Sequence, residues 1–180
     1  MASTTNELLL SRHLLRTTTD RALRRYVLTR ALSTFQGNFW GGCMGAALML
    51  RVHQMAEQGV PLTYESVSAA SAEILQRWYG DTVAVTPEGA GSQWLRVGHH
   101  YRNYYYYQYA TGISAASAFA AAILKEGEPA VQRYLGFLSA GSSAHDLDIL
   151  RAAGVDMTTP APIERAIATY AELVDALMQS

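Results

Sequence analysis

The chain holds one cysteine, Cys43, and five prolines, and each shortage excludes something. A single thiol makes no disulfide within the chain, and its place in an apolar run suits a buried residue in a reducing compartment. Few prolines leave long stretches free to be helical, because a proline inside a helix removes a backbone donor and clashes with the preceding turn. Charge of one sign is also lacking: Lys plus Arg number 14 against 15 Asp plus Glu, a formal charge of −1. No basic field exists to hold nucleic acid or anionic lipid. Long hydrophobic runs are missing too. MASTTNELLLSRHLL offers three consecutive leucines before Arg12 and His13, too few for the apolar centre of a secretory signal. The stretch 109–124 is diluted by alanine and serine below what a membrane span of about 20 residues needs. The expectation is a cytoplasmic protein without membrane or nucleic-acid partners.

What is present is a composition of 49% hydrophobic and 16% charged residues over 180 positions, enough for a single helical domain over residues 1–180 with its own core. Apolar residues recur at three and four spacing, which predicts an all-α bundle of about seven helices. The first runs to about Thr17, with Thr5 or Asn6 as its cap. Asp20 caps a second that continues from Arg21 to Gly59, where Gly37, Gly41, Gly42 and Gly45 bend it or admit another backbone. Thr63 caps a third, with Ser66 three residues on, ending at Tyr79-Gly80-Asp81. Residues 81–86 alternate in a way that would suit a short extended piece. A helix from Ser92 and another over 103–125 follow, then helices over 128–140, 144–153 and 163–178. His145, Asp146 and Asp148 sit where they would cap the 144–153 helix.

The most informative stretch is RVGHHYRNYYYYQYATG at 96–112. His99 and His100 stand beside Tyr101, Tyr104, Tyr105, Tyr106, Tyr107 and Tyr109, and every phenol can donate one hydrogen bond. Such a set suits the binding of an oxyanion. Four consecutive tyrosines on a helix would point all around it, so the segment must line a cavity or pass through protein. Elsewhere the signals are weak. His53 and Glu57 share a helix face at a spacing that metal ligands use, but no third partner is identifiable, and a surface hydrogen-bonded pair is the simpler reading. No serine lies in a strained nucleophile elbow.

Four ordered motifs, ASTTNE at 2–7, RVGHHYRNYYYYQYATG at 96–112, RYLGFLSAGSS at 133–143 and AAGVDMTTPAPI at 152–163, resemble the C-terminal portion of oligoendopeptidase F. That family of zinc metallopeptidases includes thimet oligopeptidase, and the resemblance spans essentially the whole chain. It implies a fold corresponding to the C-terminal part of a metallopeptidase catalytic domain. In the family, zinc is held by H-E-x-x-H and by a glutamate on the next helix. The histidines here, at 13, 53, 99, 100 and 145, include no pair at the motif's spacing, and the resemblance places the third ligand immediately ahead of Met1. Zinc therefore belongs to the parent family, and none is expected to bind this chain alone.

The resemblance also assigns roles. His99 matches the histidine that donates to the oxyanion formed when water attacks the scissile carbonyl. Tyr107 is the tyrosine carried over as its partner, with Tyr101 a second candidate. His100 and Tyr104 are carried over as residues bordering the substrate, and Glu7 as a carboxylate supporting the zinc-binding helices. Departures accompany these matches: Gly98 stands where the family has proline, and His100 and Arg102 where it has aromatic residues. After Gly37 the chain reads FWGGCMGAA at 39–47, without the family's acidic residues.

The function implied is that of the substrate-binding and oxyanion-stabilising wall of an oligopeptide-cleaving zinc enzyme, inactive alone. The alternative is a non-catalytic helical module that binds a peptide or partner chain. A missing N-terminal catalytic segment is the partner the first reading calls for. Apolar surface once covered by it would favour a homo-oligomer through the first helix and the tyrosine segment.

Overall fold

Helix α1, Ala2–Thr17, starts earlier than capping chemistry suggested. Thr5 lies inside it, fully buried, and donates through Oγ1 to the Met1 carbonyl at 3.2 Å rather than capping the helix. Asp20 does cap α2, Arg21–Phe35: its carboxylate accepts from the N–H groups of Ala22 at 2.8 Å and Leu23 at 3.3 Å. The helix then widens into a π turn over Gln36–Trp40 before resuming as α3, Gly41–Glu57. The long helix predicted from Arg21 is therefore interrupted by a π turn that contains Gly37 and ends just before Gly41. Thr63 opens α4, Tyr64–Tyr79, with a reciprocal capping box: Ser66 N–H donates to Thr63 Oγ1 at 3.2 Å, and Thr63 N–H to Ser66 Oγ at 3.0 Å.

The computed structural model describes residues 1–180 as eight α-helices without a strand. The segment 81–86 that would suit a strand begins instead with a tight turn over Gly80–Thr82 and continues without pairing. An isolated alternating run has no neighbouring edge to bond to. The largest departure lies in the tyrosine region, which is not helical until α5, Tyr107–Glu126. Before it come two short 3₁₀ turns, Ala90–Arg96 and Gly98–Tyr101. Helices α6, Glu128–Ser139, α7, Asp146–Ala152, and α8, Ala161–Met178, follow close to their expected bounds. His145 occupies the cap position of α7 but its side chain makes no capping bond.

The chain divides into two compact units, Met1–Phe39 with Ala110–Ser180, and Trp40–Tyr109. In the first, Ala115, Phe119, Tyr134, Leu150, Ala153 and Val155 form the core. The Tyr134 hydroxyl reaches Ala2 O at 3.1 Å and Asn6 Oδ1 at 3.2 Å, which fixes α6 to the start of α1. Buried hydroxyls on α5 are satisfied within the helix, Ser114 by Ala110 O at 2.7 Å and Ser117 by Ile113 O at 2.9 Å. Asp156, in the AAGVDMTTP stretch, accepts from the hydroxyl and N–H of Thr158 and from Arg151, which holds its carboxyl at about 2.

In the second unit α3 and α4 join across Leu48, Met55, Val67 and Ala70, with Val52, Ile74 and Trp94 at the edge. The turn Ala90–Arg96 lies against α4, and Gly91 makes that approach possible. A Cβ there would stand 2.7 Å from Ser68 O and 3.0 Å from both Ala72 Cβ and Thr86 O. Trp94 then reaches over α4, its indole N–H donating to the buried Ser68 hydroxyl at 3.1 Å. Because two of the obstructing atoms are backbone, Gly91→Ala is expected to destabilise the fold by about 1–3 kcal/mol in urea unfolding. Gly37→Ala, which meets nothing within 4 Å, should be neutral or stabilising by up to about 1 kcal/mol. Equal effects of the two would show that Gly91 is not a packing requirement.

Candidate functional site

The segment 97–109 is wound by hydrogen bonds that skip only three residues: His100 N–H to Val97 O at 3.0 Å, Arg102 N–H to His99 O at 3.2 Å, Tyr105 N–H to Arg102 O at 3.2 Å and Tyr109 N–H to Tyr106 O at 3.3 Å. The 3₁₀ turn ends at Tyr101, the chain reverses at Tyr104, and Tyr109 lies in the first turn of α5. The rings of Tyr105, Tyr106 and Tyr109 gather on one histidine, with centroids 5.2, 5.7 and 5.1 Å from that of His99. Tyr104 takes a left-handed backbone, φ 48°, where its ring stacks on His53 at 4.5 Å. His53 is meanwhile bonded through Nδ1 to Met49 O at 2.7 Å.

Tyr106 is seated by a glycine. A Cβ on Gly45 would fall 1.8 Å from Cδ1 of the Tyr106 ring, so the ring lies flush on the backbone of α3. What Gly45 admits is a side chain, not a second backbone. Burial raises the pKa of the Tyr106 phenol. Tyr109 is also held above its ordinary value, first by a hydrogen bond with Tyr105 and then by burial, with repulsion from Tyr105 and Tyr106 outweighing the pull of Arg102. Both phenols are therefore protonated donors at neutral pH.

The Tyr109 hydroxyl meets His99 Nε2 at 2.9 Å. A phenol can donate or accept; when it donates, Nε2 is the acceptor and the ring proton rests on Nδ1. Arg102 sits 5.5 Å over the ring of Tyr105, adding a cation to the rim. Tyr107, at 49% exposure, and Tyr101, at 64%, stand outside this ring cluster. Tyr101 leans on Trp94 at 6.5 Å. The residue to which the sequence assigned no role is Tyr109. The ten-residue separation from His99 gave no signal, since it meets His99 only through the tight turns.

His100 packs edge-on against Tyr106, ring centroids 5.0 Å apart, and borders with it a cavity of about 130 Å³ lined also by Met44, Leu48, Ile74, Leu75 and Trp94. Its Nδ1 lies 3.3 Å from the Trp94 carbonyl. A carbonyl only accepts, so Nδ1 carries the proton and Nε2 is a bare lone pair, buried without a protein partner. Burial lowers the His100 pKa, against the raising effect of the Trp94 carbonyl, and His99 adds to the lowering. Glu7, in the other unit, lines a groove of about 240 Å³ with Leu10, Leu14, Tyr26 and Arg30.

No three His, Cys, Asp or Glu side chains come together as a metal-holding set. A structural or catalytic zinc needs at least three such donors in one place, and the residues present do not supply that set. No helix is long and apolar enough to cross a membrane.

Comparison with known proteins follows the same direction. The sequence model of "Peptidase family M3" matches residues 1–169. Oligopeptidase PepF of Bacillus subtilis (strain 168) is 44% identical over 177 residues, covering 98% of this chain and 26% of that protein. The chromosomal oligoendopeptidase F of Lactococcus lactis subsp. cremoris is 33% identical over 177 residues, 98% of this chain and 29% of its own length. The crystal structure of oligoendopeptidase-F from Enterococcus faecium superposes with a TM-score of 0.90 at 39% identity, over 99% of this chain and 34% of that one. The chain thus spans 26–34% of the length of these relatives.

The unusual environment of His100 has a pH signature. A histidine with a depressed native pKa leaves stability intact above its unfolded value of about 6.5, and stability falls as pH drops below it, because the unfolded chain takes the proton first. The unfolding free energy of the natural chain should therefore decline relative to His100→Gln between about pH 7.5 and pH 5.5. Parallel curves for the two proteins would mean that His100 titrates freely in the fold.

Proposed function

Because the chain belongs to peptidase family M3, we propose that it forms the substrate-facing wall of an oligopeptide-cleaving site, with the zinc-holding residues lying outside these 180 positions. The observation that carries this reading is the histidine of the tyrosine segment held by a phenol, Tyr109 on His99. With Tyr109 donating to Nε2, His99 would present Nδ1–H as a donor to an oxyanion. Tyr107, half exposed, brings a second hydroxyl that can donate. Donors already in place cost no reorganisation when negative charge develops, which is why such groups accelerate acyl chemistry. Tyr101 and Tyr104 edge the approach, and His100 borders the apolar cavity beside it.

Water activation needs a metal set and a general base, which the donors of this chain do not assemble. The chain alone should accordingly bind peptide without cleaving it. Glu7, facing a groove between α1 and α2, would support the segment that brings the metal. Exposed Leu10 and Tyr26 beside it, at 57% and 63%, also favour association of copies when that segment is absent.

The chain should be mixed with zinc and a separately produced segment containing H-E-x-x-H from one of the relatives, and cleavage of a quenched fluorescent peptide followed. Restored activity should fall on the order of 10²–10³ in kcat for His99→Ala or Tyr107→Phe. Tyr109→Phe, which frees His99 without removing the donor, should cost on the order of tenfold and alter the pH profile. If His99→Ala leaves restored turnover intact, the wall is not catalytic and the binding-module reading takes its place.

A further inference from the structure

A second groove, in the unit built from Met1–Phe39 and Ala110–Ser180, carries chemistry that the peptidase reading does not use. It measures about 310 Å³, with Arg12 on α1, Lys125 on α5 and Arg165 and Glu172 on α8 at its rim, and Leu8 and Leu124 on its walls. Three cations against one carboxylate leave the groove positive in a chain whose formal charge is −1.

Glu172 is already divided. Its Oε2 accepts from Arg12 and its Oε1 from Arg165. Burial alone would raise the pKa of Glu172, but the hydrogen bonds from the two arginines outweigh it and hold the carboxyl below its ordinary value. Arg165 spends one further donor, Nε–H, on Thr169 Oγ1 at 3.3 Å. A guanidinium has five N–H donors, so most of those on Arg12 and Arg165 are unspent, and they converge from two helices on one place. Lys125 brings an ammonium to the same rim. Two guanidinium groups drawn to the two oxygens of one carboxylate also repel each other, and a second anion beside them would relieve that.

We propose that this groove binds a carboxylate carried on an apolar stem, such as the free C-terminus of a peptide ending in a branched aliphatic residue. The two arginines and Lys125 hold the charge, and Leu8 and Leu124 cover the side chain. Carboxylate suits the planar forks of arginine, and the apolar walls distinguish such a ligand from a bare inorganic anion, which would leave them uncovered.

The test uses the full chain labelled with ¹⁵N and three probes: N-acetyl-leucine, N-acetyl-leucinamide and inorganic phosphate. N-acetyl-leucine should give saturable shifts on α1, α5 and α8, weakening severalfold as salt rises. The amide and phosphate should each bind at least about tenfold more weakly, since each lacks one of the two features. Lys125→Gln should weaken N-acetyl-leucine on the order of fivefold. Glu172→Gln, which removes the competing carboxylate, should tighten it by a similar factor, whereas a purely structural bridge would give no gain. Equal binding of the amide, equal binding of phosphate, or an unchanged affinity in both variants would overturn the proposal. None of these readouts depends on zinc or on peptide cleavage, so the catalytic reading can fail without affecting it.

Discussion

The arrangement around His99 depends on one steric allowance, the missing side chain at Gly91. It lets the turn Ala90–Arg96 press on α4 closely enough for Trp94 to bond Ser68 across the helix. Trp94 in turn offers its carbonyl to His100, and the turn that contains both histidines starts four residues beyond it. Each step is a short-range contact, yet together they set where the phenols gather. Gly45 makes a similar allowance on α3 for the ring of Tyr106. Neither glycine has a positive φ, so what each supplies is space and not a special backbone conformation.

Two histidines adjacent in sequence end in opposite chemical states for this reason. His99 is surrounded by rings and bonded to a hydroxyl, able to pass its donor to a neighbour. His100 is turned into hydrocarbon with a lone pair that no protein group meets. Desolvation that would be costly for a charged imidazolium is tolerable for a neutral ring, and the Trp94 carbonyl selects which nitrogen keeps the proton.

Helices with strong local signals were legible in the sequence. Asp20 and Thr63 cap where their side chains and the following apolar spacing demanded, and α6 and α8 run nearly as periodicity indicated. The tyrosine segment was not, because a run of phenols has no period that separates a 3.6-residue winding from a tighter one. Only contacts with α3 and α4 decide between them, and those come from residues more than 20 positions away, such as Ser68 and Gly45. The partnership of His99 was therefore legible as a type, imidazole with phenol, but not as an address. The π turn at Gln36–Trp40 was visible only as an excess of glycine.

Helix α5 illustrates a different economy of interaction. Its buried serines return their hydroxyl protons to carbonyls of their own helix, and its remaining buried positions are chiefly alanine with Ile113 and Phe119. A rod that settles its own polarity asks no directional bond of whatever lies against it. Its neighbours are chosen by contour alone, so they can be exchanged for others of like volume while the rod itself stays unaltered.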